Sequence, residues 1–210
     1  MVLESFSSQE PLAKEFIIDR IIAEVVEEHA FLLRRFFEKQ SGDLIQVSQK
    51  VAEAFRAGRQ VYFFGNGGSA SDAQHLATEF VGRFVADRIA LPAIALNADT
   101  SLITAVANDY GYDRVFARQV EAFGKKGDVA FGISTSGNSP SVVEGIRKAR
   151  ELGLTTVGLL GRDGGALKEL VDHALVVEGK KTARIQELHI LIGHTMCQLV
   201  EAILFGRTPR

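Results

Sequence analysis

The chain has 210 residues, 46% hydrophobic and 24% charged, with a formal net charge of −2. That length and composition suit one well-packed domain and exclude an intrinsically disordered chain. The charge balance argues against nucleic-acid binding, which needs a basic face, and no apolar run approaches the roughly 20 residues that span a bilayer, so no membrane partner is expected.

Residues 14–38 repeat apolar side chains at Ile17, Ile18, Ile21, Ile22, Val25 and Val26, then at Phe31, Leu32, Phe36 and Phe37. That is helical periodicity, and acidic residues from Glu4 to Asp19 interrupt any signal-peptide layout, so a cytoplasmic setting is expected. Ser41-Gly42-Asp43 is predicted to break the helix, and a second one runs from Leu44 to Arg56. These N-terminal helices (1–58) are expected to belong to the same domain as residues 59–210. They carry more apolar surface than one side of a small sheet needs, which points either to subunit contacts or to packing on their own domain.

From there strands and helices alternate. Strands are predicted at 60–64, 92–96, 128–133, 154–160 and 173–178, with helices between them and a final helix over 183–204. Short apolar strands separated by helices predict an α/β fold: a five-stranded parallel sheet flanked by helices, flavodoxin-like, with an N-terminal helical extension.

The first strand, Val61 to Phe64, stops at Gly65-Asn66-Gly67-Gly68-Ser69, and a helical pattern follows at Ala73, Leu76, Ala77, Phe80 and Val81. Glycines let backbone come close to a ligand, although the G-x-G-x-x-G dinucleotide spacing is not met. On that helix His75 and Glu79 are spaced i, i+4. Such a pair is either a surface pair or a site in which both groups ligate a divalent metal, or one ligates while the other moves protons. Asp99-Thr100 is expected to cap a helix, and Asn108-Asp109 before Tyr110-Gly111 to form an Asx turn.

Val129 to Ile133 runs into Ser134-Thr135-Ser136-Gly137-Asn138-Ser139, after which helical periodicity resumes at Val142, Val143, Ile146 and Ala149. Hydroxyls and backbone N–H groups at a helix N-terminus suit an anion; the plainer alternative is Ser139 as N-cap with Pro140 at the first helical position. No lysine lies in the loop, so it is not a P-loop, and the phosphate must be held by local donors. Two such loops in one α/β domain predict a phosphorylated small molecule at the strand C-termini. The last helix supplies Gln186, Glu187, His189 and His194. Spacing alone leaves Gln186 and Glu187 equally placed to join His194, itself readable as a core histidine. Cys197, the single cysteine, reads as a buried core residue.

The segments GNGGSASDAQHLATEF (65–80), NDYG (108–111), GDVAFGISTSGNS (127–139) and TARIQELHILIGH (182–194) together resemble the sugar-isomerase (SIS) domain, and within it the phosphoheptose isomerases. The similarity runs in the same order over nearly the whole chain beyond the first helices. It implies Zn²⁺, one per site, held by His75, Glu79, Gln186 and His194, with Glu79 as catalytic base and His194 as catalytic acid. It further implies substrate contacts from Asn66, Gly67, Gly68, Glu79, Asn108, Asp109, Ser134, Thr135, Ser136, Ser139 and Gln186, the serines and Thr135 holding the phosphate. The implied reaction is an aldose–ketose isomerisation, sedoheptulose 7-phosphate to D-glycero-D-manno-heptose 7-phosphate through an enediol, toward ADP-heptose and lipopolysaccharide. The implied assembly is a homotetramer with shared sites. One departure is Ala183, where some relatives carry an aspartate, which removes a secondary proton relay there. The alternative is a non-enzymatic SIS regulator that binds the bacterial replication initiator and resembles this chain over Leu91–Asn97. That relative lacks the glutamate at position 79 and the histidine at position 194.

Overall fold

The computed structural model describes residues 11–206, with side chains from Ile17 onward. In chain order the elements are α1 (Pro11–Arg56), β1 (Val61–Gly65), α2 (Gly68–Val81), β2 (Ala93–Ala95), α3 (Thr100–Tyr110), a 3₁₀ turn at Tyr112–Arg114, and α4 (Val115–Phe123). They continue as β3 (Val129–Ser134), α5 (Pro140–Glu151), β4 (Thr155–Gly161), α6 (Gly165–Lys168), β5 (His173–Val177) and α7 (Thr182–Phe205). The five strands form one parallel sheet in the order β2-β1-β3-β4-β5, the flavodoxin-like order expected.

The strand sequences bury both faces because their side chains alternate between two helical layers. Val61 and Phe63 point into a core shared with α1, α2 and α7, including Leu76, Phe80, Ile185 and Ile192. Tyr62 and Phe64 point the other way, into a core with Phe116, Val142 and Ile146. Phe63 stacks on Phe131 and Phe80 at ring-centre distances of 4.8 and 6.1 Å. Burying each such ring contributes roughly 1.5–3 kcal/mol.

Two local expectations are refined and a third is corrected. The break predicted at Ser41-Gly42-Asp43 is a kink at Gln40 (φ −126°, ψ 15°) inside an otherwise continuous α1. Its cause is side-chain bonding: the Gln40 amide donates to the Val176 carbonyl at 2.6 Å and accepts from the Val176 N–H at 2.9 Å, while the Ser41 hydroxyl donates to the Phe37 carbonyl. Between β4 and β5 only the one-turn α6 forms. Asn108 and Asp109 lie in the last turns of α3 instead of an Asx turn, and the Asn108 amide donates to the Asp109 carboxylate at 2.8 Å. Asp99 does cap α3, accepting from the Leu102 N–H at 2.9 Å.

Helix α7 is long and apolar enough, by length and composition, to cross a membrane, although polar residues interrupt its apolar run in the sequence. Here it is a core helix, packed on α1, α2 and the sheet, and Cys197 within it is fully buried. Burial pushes the Cys197 thiol well above its usual range. His189, also fully buried on α7, donates from Nε2 to the Leu160 carbonyl at 3.0 Å, while its Nδ1 has no partner among the described residues.

Burial lowers the His189 pKa from 6.5 to about 4, against the opposing effect of the Leu160 hydrogen bond. The folded protein therefore stays unprotonated there between pH 6.5 and 4 while the unfolded chain binds a proton. The contribution of this neutral histidine is complete above pH 6.5 and is lost as pH falls toward 4, by about 3 kcal/mol in all. Urea midpoints across that window should fall less steeply in His189→Leu than in wild type, by about one proton in slope; parallel curves would exclude the effect.

The sheet order reverses between β1 and β3, whose ends are in register at Gly65 and Ile133. The loops that follow them are therefore neighbours at the switch point where open α/β sheets bind ligands.

Candidate active site

Helices α2 and α7 lie side by side and point the same way, because contacts between them advance together. A Cβ on Gly68 would lie 2.4 Å from Gln186 Nε2, and a Cβ on Gly193 would lie 2.4 Å from Leu76. Side-chain-free positions thus let the two helices close up. Next to the Leu76–Gly193 contact, His75 Nε2 meets His194 Nε2 at 2.8 Å and Glu79 Oε1 at 3.2 Å. The three residues offer ligand atoms that all lie within 4.8 Å of one another.

Tetrahedral zinc, with bonds of about 2.0–2.1 Å, holds its ligand atoms about 3.3 Å apart, so the donor set fits such an ion in chemistry and spacing. Burial and the neighbouring His75 hold the His194 imidazole below its ordinary pKa against the pull of Glu79, which favours the neutral, ligating form. Gln186, the fourth expected ligand, is two turns before His194 with its amide against Gly68. The structure so brings three of the four together and places Gln186 at the glycine loop. Its neighbour Glu187 accepts from His29 Nδ1 at 2.9 Å and pairs with Arg184 at 2.5 Å.

The hydroxyl loop after β3 is internally bonded. The Gly137 N–H donates to Ser134 Oγ at 3.1 Å and the Asn138 N–H to Ser136 Oγ at 3.2 Å. Gly137, at φ +66°, packs so tightly on the loop after β4 that a Cβ would lie 2.0 Å from the Gly164 carbonyl oxygen. Ser139 occupies the N-cap position of α5 with Pro140 following, but its side chain makes no capping bond. Its Oγ instead accepts from Asn66 Nδ2 at 2.7 Å, and Ser141 Oγ accepts from the same amide at 2.9 Å. Asn66 thereby ties the glycine loop to the hydroxyl loop. Thr135 lies half-buried between these groups, and Asn108 and Asp109 are exposed at the end of α3.

Several residues near the site carried no sequence signal. Arg88 donates to the Glu79 carbonyl at 2.7 Å and the Phe80 carbonyl at 2.6 Å, and its Nε bonds Glu201 on α7 at 3.1 Å. Glu201 also accepts from the N–H groups of Phe84, Val85 and Ala86, each at 3.1 Å. Burial alone would raise its carboxyl, but these donors and the Arg88 guanidinium outweigh it and hold the pKa down. Phe84 in that loop sets its ring 5.3 Å from His194. Asp72, one turn before His75, has a buried Oδ2 without a hydrogen-bond partner among the described residues; burial raises its pKa to about 6 against the opposing charge of His75. A cavity of about 1030 Å³ opens on the outer side of Ser136 and is bordered by Arg162 and Lys168. Arg162 sits at φ 58°, a left-handed conformation favoured by glycine. Sequence reasoning placed no cation near the hydroxyl loop, because these residues follow a different strand.

The model of the SIS domain matches residues 26–161. The phosphoheptose isomerase of Solidesulfovibrio magneticus is 52% identical over 186 residues, covering 89% of this chain and 91% of that protein. That of Roseiflexus sp. is 50% identical, covering 89% and 94%. Among solved structures, phosphoheptose isomerase GmhA from Neisseria gonorrhoeae superposes with a TM-score of 0.83 at 39% identity, covering 89% of this chain and 99% of that one. From the two adjoining loops, the His/Glu/His cluster and these relatives, it follows that the chain belongs to the SIS-domain family, as an aldose–ketose isomerase among the phosphoheptose isomerases.

Proposed function

We propose that the chain interconverts sedoheptulose 7-phosphate and D-glycero-D-manno-heptose 7-phosphate in the cytoplasm, on the route to ADP-heptose, with one Zn²⁺ per site. The observation that carries this reading is the convergence of His75, Glu79 and His194 within 4.8 Å, on helices that begin at or run beside the two ligand loops. His75, Glu79 and His194, with Gln186 as a fourth candidate, would hold the metal. When bound it supplies positive charge that stabilises an oxyanion at the carbonyl carbon.

The rest of the chemistry falls to the side chains. Glu79 takes a proton from C1 of the ketose and returns it to C2, while His194 delivers a proton to the C2 oxygen and recovers one from the C1 hydroxyl, leaving the aldehyde. The intervening species is an enediol. Ser134, Thr135, Ser136 and Ser139 hold the phosphate, and Asn66, Gly67, Gly68, Asn108, Asp109 and Gln186 face the sugar. Purified protein should turn over sedoheptulose 7-phosphate, lose activity with a chelator and regain it with zinc. No turnover with zinc supplied would overturn the reading in favour of the regulatory alternative. Ser136→Ala with Ser139→Ala should raise KM about tenfold or more and leave kcat nearly intact, since binding is lost without touching proton transfer. A fall in kcat at constant KM would show that the loop does not hold the phosphate.

The assembly we propose is a homotetramer built through α1. Ile17, Ile18, Ile21, Ile22, Val26 and Phe31 on it are 46–61% exposed. An apolar face of that extent on one helix is the signature of a subunit contact. Light scattering is expected to give a tetramer, and a stable, fully active monomer would overturn it.

A further inference from the structure

The two ligand loops are joined by an amide whose orientation is set from outside both of them. After α3 the chain turns at Gly111 into the 3₁₀ turn, which brings Tyr112 back over the glycine loop. The Tyr112 hydroxyl donates to Asn66 Oδ1 at 2.9 Å. With its oxygen turned toward Tyr112, Asn66 points Nδ2 at the hydroxyl loop, and both N–H bonds of that nitrogen are spent, on Ser139 Oγ at 2.7 Å and Ser141 Oγ at 2.9 Å.

A hydroxyl has one proton to give and lone pairs to receive. Because Ser139 Oγ receives from Asn66, its own proton is left free to donate. Ser134 and Ser136 likewise receive from the Gly137 and Asn138 N–H groups, and with their oxygens 3.4 Å apart at most one of the two protons is spent between them, so at least one remains to donate. A set of hydroxyls that receive from the protein on one side presents protons on the other, which is what an anion requires. Turned over, the Asn66 amide would accept from Ser139 and Ser141 and take those protons inward.

From this we infer that Tyr112 is a positioning residue for substrate phosphate: by holding the Asn66 amide in one orientation it keeps the Ser139 hydroxyl a donor to the anion. Tyr112 touches neither the phosphate nor the reacting carbons in this scheme. Its sequence position, four residues beyond Asn108, gave no hint of the contact, because the bond spans 46 residues. The inference rests on the proposed role of residues 134–139 as the phosphate end of the site.

The test is Tyr112→Phe, which removes the donor and keeps the ring. Losing one hydrogen bond that orients a charged contact should weaken binding about three- to tenfold. KM for sedoheptulose 7-phosphate and the calorimetric Kd for inorganic phosphate should rise by the same factor, with kcat unchanged. In a Ser139→Ala background the Tyr112→Phe change should add nothing, because its effect passes through that hydroxyl. Wild-type affinity for inorganic phosphate in Tyr112→Phe would overturn the inference, as would an undiminished loss in the Ser139→Ala background. The phosphate titration does not depend on turnover, so inactivity of the wild type toward the heptose phosphate would sink the proposed reaction and leave this test intact.

Discussion

Glu79→Gln should lower kcat on sedoheptulose 7-phosphate by about 10²–10⁴-fold, the usual contribution of a positioned general base. Glutamine keeps the shape of the side chain and one oxygen, but it cannot carry a proton between C1 and C2. His75 Nε2 lies 3.2 Å from Glu79 Oε1, so the substitution also weakens the donor set, and metal content should be measured beside activity. The variant is expected to keep its fold and assembly, because Glu79 is only half-buried and the core of α2 is made by Ala73, Leu76, Ala77 and Phe80. Full activity of Glu79→Gln at wild-type metal content would remove the residue from the mechanism.

Glu201→Ala should be the most destabilising single change near the site. The side chains of Arg88 and Glu201 are only 2% and 4% exposed. Removing one member of a buried pair strands the other charge and costs about 3–5 kcal/mol. In a domain of this size that lowers the melting temperature by roughly 10 °C. It also frees the N–H groups of Phe84, Val85 and Ala86, and with them the loop that Arg88 fastens to the Glu79 carbonyl. Activity measured well below the melting temperature should therefore fall too, and Glu201→Gln should recover part of both losses. A melting temperature within a degree or two of wild type would show that the loop is held by other means.

Most of the architecture was legible because it is written in local patterns. The apolar runs that end at Gly65 and Ser134 gave both the strands and the loops that face each other at the switch point, with strand limits displaced by about a residue. His75 and Glu79 share one helix, so their spacing alone put them on one face. What stayed hidden depends on partners distant in sequence. Arg88 and Glu201 look like ordinary solvated charges until the fold brings them 3.1 Å apart across 113 residues. Tyr112 looks like part of a turn until it reaches Asn66. The helix break after Phe37 was foreseen from Ser41 and Gly42, whereas the residue that kinks is Gln40, because its amide is drawn to β5.

That Gln40 amide has a consequence for how copies of this chain can meet. An outermost strand offers a row of unpaired N–H and C=O groups to any extended segment that comes alongside. On β5 the Val176 pair is already taken by a side chain reaching down from α1. The opposite border of the sheet, β2, is only three residues long. Both features make the two borders poor templates for strand-by-strand growth. Gln40→Leu would reopen the Val176 groups to such pairing even if the helix itself remained in place.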